Sequence, residues 1–298
     1  MTVRAAKWSC EPIRPVHEVS RPDIQMPARA CDTHMHAFGP LDRYPSVAAP
    51  RYDHPGGNLQ QYASVAAALA IERMVIVQPS FYGTDNSFLL EALEKVGAPA
   101  RGVVILPDTK VAPKVLEEFH ARGVRGLRID FFKMHDAGAA KSEYLQALRK
   151  AASLARSIGW HVELYAPGVV LRDLTEHLPE IGVAVSVDHM GYMKSGHGVT
   201  DTDFRQFVET VKSGQVWVKL TGPYRLSDDT DWQHADEMAR ALVEAAPERM
   251  LWGTDWPHIP DCGLDTGALL TRLVRWCPEN GLRTRILVDN PSHLYDYK

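Results

Sequence analysis

The sequence has no long apolar run, no cysteine pair at redox or metal spacing and little excess charge. No stretch approaches the ~20 apolar residues that cross a bilayer, which excludes a membrane span. The four cysteines, Cys10, Cys31, Cys262 and Cys277, show no CxxC spacing, as is typical of reduced thiols rather than of a disulfide framework. A net charge of −4 offers no bulk attraction to nucleic acid or to an anionic membrane. Residues 1–29 lack the apolar stretch of a signal peptide, so we expect a cytoplasmic protein.

A Gly-rich dinucleotide loop is also missing, because the first apolar strand is followed by Phe38-Gly39-Pro40. What the sequence has instead is a series of short, β-branched runs, as expected for strands covered on both faces. Strands are predicted at Ala30–His36, Met74–Ser80, Arg101–Leu106, Val124–Asp130, His161–Ala166, Ala184–Met190, Val216–Thr221 and Met250–Asp255. Amphipathic helices are predicted between them at Asp85–Val96, Ala112–Arg122, Ser142–Ile158, Asp201–Gly214 and Asp231–Ala246.

This alternation predicts an α/β fold of the (β/α)8 TIM-barrel type, in about 260 residues. A doubly wound sheet is the competing architecture, and the missing dinucleotide loop disfavours it. We find no repeat, low-complexity segment or interdomain linker. The prediction is therefore one domain, residues 30–298, preceded by an irregular N-terminal arm, residues 1–29.

The histidines of Cys-Asp-Thr-His-Met-His (31–36) are the most informative feature of the chain. His34 and His36 are two residues apart on a strand and therefore share one face. Asp255 lies far downstream, in Trp-Gly-Thr-Asp-Trp-Pro-His (252–258), at the end of the last predicted strand. Because active sites of parallel barrels assemble at the C-terminal ends of strands, these three side chains are predicted to converge on one water molecule.

Other polar side chains fall at the same predicted strand ends. They are Gln78, Ser80, Arg128, Asp130, Glu163, Tyr165, Asp188, His189, Lys219 and Thr221. Each would cost roughly 1–3 kcal/mol inside an apolar barrel unless it were paired, so their accumulation favours an active site. A single histidine at a strand end is more often a hydrogen-bonded core residue than a ligand. The motifs at the ends of predicted strands one, six and eight, taken together, nevertheless favour a hydrolytic site. The histidines interpreted mostly as surface residues are His54, His120, His135, His177, His197, His234 and His293, and His258 is interpreted as intermediate, near the rim.

Four motifs give the chain a resemblance to the amidohydrolase superfamily (amidohydrolase-related family 2). They are His34-Met-His36, Val187-Asp-His-Met-Gly191, the Trp252–His258 segment and Asn290-Pro-Ser-His-Leu-Tyr295. The similar branch contains 2-pyrone-4,6-dicarboxylate lactonase and the muconolactone and sugar-lactone hydrolases. The likeness also covers His36–Pro40, Val77–Ser80, Gly83–Asn86 and Arg125–Arg128.

The resemblance implies that Asp255 is the general base for the attacking water. His34, His36 and His189 would then polarise the scissile carbonyl, either as direct donors or, with Asp255, as ligands of one divalent metal such as zinc. Arg128 and Asp130 stand where a strand-four lysine bridge would be expected, which argues against a binuclear site. Zero or one metal is therefore predicted, and the two alternatives stay open.

The resemblance also implies an acidic lactone as substrate. Candidate binding residues are Arg128, Tyr165, Ser80, Tyr52, Tyr82, Arg225, Tyr192 and His258. Lys219 could also bind the acidic group. For Lys219 and Arg225 an equally good interpretation is a structural ion pair or a position in a solvated loop. The pyrone dicarboxylate lactonase has arginine where this chain has Tyr192 and histidine where it has Tyr82, which favours a sulfonated or singly carboxylated muconolactone, or a sugar-acid lactone.

Rival functions within the superfamily are a metal-dependent non-oxidative decarboxylase and a lactone isomerase. A non-catalytic binding or scaffold protein is the rival from another class. Asp32, beside the histidine pair, is predicted to be buried on the opposite register, which disfavours the decarboxylase. No nucleic-acid or membrane partner is expected, and Trp232 or Trp276 would fit a homo-oligomer contact or helix packing equally well.

Overall fold

A computed structural model describes residues 19–107, 111–193, 198–226, 231–259 and 263–298. Eight strands form one parallel sheet in chain order. They are β1 (Cys31–Met35), β2 (Arg73–Val77), β3 (Ala100–Val104), β4 (Val124–Asp130), β5 (His161–Tyr165), β6 (Val185–Val187), β7 (Val216–Leu220) and β8 (Met250–Trp252). The predicted (β/α)8 barrel is confirmed.

The helices lie outside this sheet. They are α1 (Leu59–Ala68), α2 (Ser87–Val96), α3 (Pro113–Ala121), α4 (Phe131–Asp136), α5 (Lys141–Ile158), α6 (Gly168–Thr175), α7 (Thr202–Lys212), α8 (Gln233–Ala245), α9 (Thr266–Trp276), α10 (Asn280–Thr284) and α11 (Asn290–Leu294). Their apolar faces pack on the outer faces of the strands and form the largest core cluster. Because both faces of each strand are covered, the strands read as nearly continuous apolar runs.

Seven of the eight strands are shorter in the structure than in the prediction, β4 alone keeping its predicted bounds, and β6 and β8 lose the most residues. β6 ends at Val187 and β8 at Trp252, where we expected Met190 and Asp255. The backbone leaves the extended region after each of them: φ is 50° at His189, 48° at Met190 and 57° at Asp255. Residues in the left-handed region cannot continue a strand. An early end to the strand therefore turns His189 and Asp255 out of the sheet and over the barrel mouth.

The barrel closes where β1 meets the segment after β8. The amide of Asp255 donates to the carbonyl of His34 at 2.7 Å, and the amide of His36 donates to the carbonyl of Trp256 at 2.8 Å. The Asp32 carboxylate accepts from the amide and hydroxyl of Thr254 at 2.9 and 2.6 Å. A Cβ at position 253 would lie 2.7 Å from both the backbone nitrogen and the Cβ of His34, so the close approach requires glycine there.

Other sequence expectations have mixed outcomes. Asp32 is fully buried as predicted, and Cys31 and Cys277 are buried free thiols, whereas Cys10, Cys262 and His197 lie outside the described residues. The first 18 residues of the predicted arm also lie outside them. Among the described residues no helix is both long enough and apolar enough to cross a bilayer. The Trp276 indole is buried and donates to Asp236 at 2.8 Å, which is the helix-packing alternative.

Candidate active site

Three imidazoles meet at the mouth of the barrel. His34 and His36 come from the end of β1, and His189 from the turn after β6. The centroid of the His34 ring lies 5.0 Å from that of His36 and 4.9 Å from that of His189. All three residues are buried. The structure therefore brings together the three histidines that the sequence predicted for the site.

Asp255 faces this histidine group. Its Oδ1 lies 3.7 Å from His34 Nε2 and 3.6 Å from His36 Nε2, and its Oδ2 lies 3.9 Å from His189 Nδ1. The Oδ2 atom accepts hydrogen bonds from the Tyr224 hydroxyl at 2.5 Å and from Arg225 Nε at 2.6 Å. The Oδ1 atom is buried and has no hydrogen-bond partner in the described structure. One oxygen of the carboxylate is thus held in place and the other is available for chemistry.

The electrostatics of the site favour a charged aspartate among neutral histidines. Burial alone would raise the pKa of Asp255, but the adjacent Arg225 guanidinium and the three histidines together outweigh it and hold that pKa well below the ordinary value. Burial lowers the pKa of His189 to about 3, and burial together with Lys219 holds the pKa of His34 well below its usual range. At neutral pH the site therefore presents one carboxylate and at least two uncharged imidazoles.

The hydrogen bond at the rear of His36 fixes its tautomer. His36 Nδ1 lies 2.9 Å from the carbonyl oxygen of Val77, which can only accept, so Nδ1 carries the proton. The Nε2 of His36 is then the ring nitrogen that faces Asp255 Oδ1. His34 Nδ1 has two neighbours, Lys219 Nζ at 3.0 Å and Asp188 Oδ1 at 3.3 Å, so its proton can take either position. His34 Nε2 is buried and has no hydrogen-bond partner among the residues that the structure describes.

These atoms fit a single divalent metal ion. His34, His36 and Asp255 bring their ligand atoms within 4.8 Å of one another. Zinc bonds of about 2.0–2.2 Å in a tetrahedron place ligand atoms about 3.3–3.6 Å apart, close to the 3.6 and 3.7 Å measured here. The orphaned His34 Nε2 and Asp255 Oδ1 are the atoms that such an ion would satisfy.

A second group, His34, Asp188 and His189, is also close enough to bind a metal, but its charges disfavour one. Asp188 Oδ2 lies 2.8 Å from Arg128 Nη2, and Asp188 Oδ1 lies 3.4 Å from Lys219 Nζ. Two side-chain cations therefore already neutralise this carboxylate. The number of metal ions, zero or one, stays a prediction.

A buried charge cluster lies behind the histidines. It comprises Lys219, Glu163, Asp188 and Arg128, all of which are buried. Lys219 Nζ donates a short hydrogen bond to Glu163 Oε2, and Arg128 Nε lies 3.4 Å from Glu163 Oε1. For Lys219 the structure shows the ion-pair alternative, and the ammonium also contacts His34. The sequence identified Lys219 as a strand-end residue but could not show that it lies behind His34.

A cavity that is partly open to solvent lies beside the histidines, and the space between its lining atoms, open solvent included, is about 460 Å³. Among the residues that the structure describes, five of the predicted substrate-binding residues line this cavity, namely Tyr52, Ser80, Arg128, Tyr165 and Arg225. His36 and His189 line it as well. Two of the four catalytic candidates and most of the binding candidates therefore share one cavity.

The other three predicted binding residues do not line this cavity. The Tyr82 hydroxyl accepts from the amide of Gly39 at 2.9 Å, within a cluster of aromatic side chains. Tyr192 packs edge-on against Tyr165 and His189, with its ring 5.8 and 5.2 Å from theirs. His258 is 2% exposed rather than at the rim, and its ring lies 6.2 Å from that of Tyr224. These three residues support the lining from behind.

Two residues of the site were missed from the sequence. Tyr224 contacts the general-base candidate Asp255, and Arg51 lines the cavity from the loop after β1. The first could have been found from its place in the loop directly after β7. No pattern pointed to Arg51, because it lies 15 residues beyond His36, in a segment without regular periodicity.

Buried neutral histidines predict that the protein is destabilised in mild acid. Burial lowers the pKa of His161 and His189 to about 3 and of His258 to about 4, and the pKa of His34 is also lowered. In the unfolded chain each titrates near ~6.5, so below that pH the unfolded state binds more protons than the folded state. Stability is therefore fully present above about pH 6.5 and falls as pH falls.

Two carboxyl groups oppose this trend without reversing it. Burial raises the pKa of Asp32 to about 6 and of Glu163 to about 7, so both bind a proton in the folded state at pH 5–6. The net difference of roughly two protons lowers the free energy of unfolding by roughly 2–3 kcal/mol between pH 6 and pH 5. Denaturant titrations at these two pH values measure it, and His161→Gln should reduce the slope by about one proton. Equal stability at both would contradict the prediction.

Eight parallel strands, with histidines and an aspartate at their C-terminal ends, are the arrangement of a barrel hydrolase. The chain belongs to the amidohydrolase family, whose sequence pattern matches residues 31–297. This confirms the family predicted from the motifs.

Several known proteins are similar along nearly the whole chain. The 4-sulfomuconolactone hydrolase of Hydrogenophaga intermedia is 33% identical over 99% of this chain and 98% of its own. A 2-pyrone-4,6-dicarboxylate hydrolase of Comamonas testosteroni is 33% identical over 93% of each chain. D-galactarolactone isomerase of Agrobacterium fabrum is 29% identical over 92% of this chain and 93% of its own. An apo crystal structure from Agrobacterium tumefaciens superposes with a TM-score of 0.81 at 27% identity, over 93% of this chain and 99% of that one. The predicted branch is thereby confirmed.

Proposed function

We propose that this lactonase hydrolyses the ring ester of an acidic lactone, with Asp255 as the base that activates water. The observation that supports this most directly is the asymmetry of the Asp255 carboxylate. Its Oδ2 is held by Tyr224 and Arg225, whereas its Oδ1 is buried, unpartnered and within 3.7 Å of two imidazole nitrogens. Such an oxygen can take a proton without any rearrangement of its neighbours.

The proposed reaction adds one water across the ring ester. The water oxygen attacks the carbonyl carbon while its proton passes to Asp255 Oδ1. The bond between that carbon and the ring oxygen then breaks, and the protonated Asp255 returns the proton to the departing oxygen. A general base positioned in this way contributes typically about 10²–10⁴-fold to the rate.

The imidazoles face the oxygen on which negative charge develops. When bound by His34, His36 and Asp255, a divalent metal would supply Lewis-acid polarisation and a lower water pKa. His189 has Thr221 Oγ1 at 2.8 Å from its Nδ1, which orients its ring in the site. A preorganised donor of this kind is worth about 2.7–4 kcal/mol in known oxyanion holes.

We expect at most one tightly bound metal ion per chain. The His34–His36–Asp255 set has unsatisfied ligand atoms, whereas the acid of the second set is neutralised by Arg128 and Lys219. Elemental analysis of dialysed protein measures the stoichiometry, and activity before and after chelation shows whether the ion is needed. His36→Gln should lose any bound ion, whereas Asp265→Asn, in the cap of α9, should retain it. Two ions per chain would contradict this assignment.

The substrate class follows from the charge of the cavity and from the relatives. Three guanidinium groups, those of Arg51, Arg128 and Arg225, are among the described residues that line it, and guanidinium suits carboxylate and sulfonate. Because Arg128 and Arg225 are already paired with buried acids, we prefer a substrate with one anionic substituent, a singly carboxylated or sulfonated muconolactone or a sugar-acid lactone, over the pyrone dicarboxylate.

A panel of acidic lactones tests the proposal, with and without added zinc. We expect turnover of a muconolactone, with one atom of ¹⁸O from labelled water in the product. Since one relative is an isomerase, product formed without the label would show isomerisation instead, and release of carbon dioxide would show decarboxylation. Full activity on the pyrone dicarboxylate and none on muconolactones would contradict the preferred substrate.

A further inference from the structure

The cavity holds more cationic groups than the reaction itself needs, and they differ in what already binds them. Arg225 Nε is paired with Asp255 at 2.6 Å and therefore belongs to the catalytic carboxylate. Arg128 donates to the carbonyl of Gln78 at 3.0 Å and to Asp188 at 2.8 Å, and its Nε lies 3.4 Å from Glu163. Both guanidinium groups are thus neutralised by buried carboxylates.

Arg51 differs from these two arginines. Its Nη2 lies 3.2 Å from Asp136 Oδ2, in a pair whose side chains are 33% and 43% exposed. An exposed pair of this kind is weak, because solvent screens it. Its Nη1 is buried and has no hydrogen-bond partner in the described structure. A buried N–H group without a hydrogen-bond acceptor costs free energy, so this nitrogen is suited to donate a hydrogen bond to an acceptor atom of a ligand.

The surroundings of Arg51 hold the guanidinium in place. Its Cζ lies 5.2 Å from the centroid of the Phe132 ring, a cation–π distance. The adjacent Tyr52 and Ser80 line the same cavity as His36 and His189. A substituent bound at Arg51 therefore belongs to a molecule whose reacting carbonyl can lie at the histidines.

We infer that Arg51 is the specificity residue that binds the carboxylate or sulfonate substituent of the lactone, a role that rests on the proposed function. The anionic substituent would accept a hydrogen bond from Nη1. It would also accept one from Nη2, which at the same time contacts Asp136. Charge-assisted pairing of this kind is geometrically selective for planar or tetrahedral anions. Arg51 would then select acidic over neutral lactones without taking part in the chemical step.

The test compares muconolactone with its neutral methyl ester in four proteins. Arg51→Met should lower kcat/KM for the acid roughly 10- to 100-fold, mostly through KM, and leave kcat/KM for the ester within about twofold. Arg51→Lys should recover part of the loss. The matched control is Arg43→Met, on the same loop but paired with Glu91 outside this cavity, and it should change neither rate.

A variant of the partner carboxylate separates binding from structural support. Asp136→Asn removes the competing acid, so it should keep or increase the affinity for the acidic lactone if Arg51 binds it. If Arg51 acts only through its pair with Asp136, both variants should lose activity alike, on the acid and the ester together. That result, or an unchanged KM in Arg51→Met, would overturn the inference.

Failure of the proposed function gives a different result. If the wild-type protein opens neither lactone, the function is wrong, and calorimetry with muconate, a simple dicarboxylate, still tests Arg51. Weaker muconate binding in Arg51→Met than in Arg43→Met would support the anion site. Equal binding in the two variants would refute it.

Discussion

Asp255→Asn reduces kcat by about 10³-fold or more while the protein stays folded. The amide cannot accept the proton of the attacking water, and the loss of a positioned base costs typically about 10²–10⁴-fold. The substitution keeps the shape of the side chain, and asparagine tolerates the left-handed backbone of this position, where φ is 57°. Because the substitution also leaves the buried Arg225 without its carboxylate partner, we expect some loss of stability beside the loss in the chemical step.

Steady-state kinetics on the best lactone of the panel measures this loss, and the melting temperature monitors the fold. Asp203→Asn, an exposed acid on α7, is the matched control and should retain wild-type rates. Tyr224→Phe and Arg225→Met remove the two groups that hold Oδ2, so each should lower kcat less than Asp255→Asn. A variant at position 255 that turns over at the wild-type rate would remove Asp255 from the mechanism.

Lys219→Met destabilises the protein by about 3–5 kcal/mol, the largest stability effect that we expect. Removal of the ammonium leaves Glu163 and Asp188 buried with Arg128 as their remaining cation. Breaking a buried ion pair from one side typically costs about 3–5 kcal/mol, because the remaining charge is not compensated. The same change removes the group 3.0 Å behind His34, so activity should fall as well.

A double-mutant cycle tests this explanation. Glu163→Gln in the Lys219→Met background removes the uncompensated charge, so the double variant should be more stable than the sum of the single effects indicates. Chemical denaturation at about pH 9, above the value of about 7 to which burial raises the pKa of Glu163, gives the four free energies. Strict additivity would show that the two side chains do not depend on each other for charge compensation.

The barrel and its catalytic residues could be predicted because their signals are local. Apolar runs recur at strand spacing, and His34, His36 and Asp255 each lie at the end of one. Barrel topology alone then brings strand ends together. The early ends of β6 and β8 could not be predicted, since they depend on positive φ values at non-glycine residues that only the packed structure stabilises.

The roles of the individual cations could not be predicted for a different reason. Arg128, Lys219 and Arg225 all read as candidate anion binders, and only the distances show that each is paired with a buried acid. Arg51 gave no sequence signal, because it reaches the cavity from an irregular loop. Pairing between residues far apart in sequence decides which charge is available, and no single segment encodes it.

The hydrogen bonds between β1 and the segment after β8 join the seam of the barrel to the catalytic residues themselves. His34, His36 and Asp255 contribute backbone groups to the closure and side chains to the reaction. Heat that parts these two segments would abolish turnover in the same event, so thermal inactivation and loss of tertiary structure should share one midpoint. An Asp32→Ala variant, which removes the hydrogen bonds from Thr254 to the Asp32 carboxylate, would lower the midpoints of inactivation and of unfolding together.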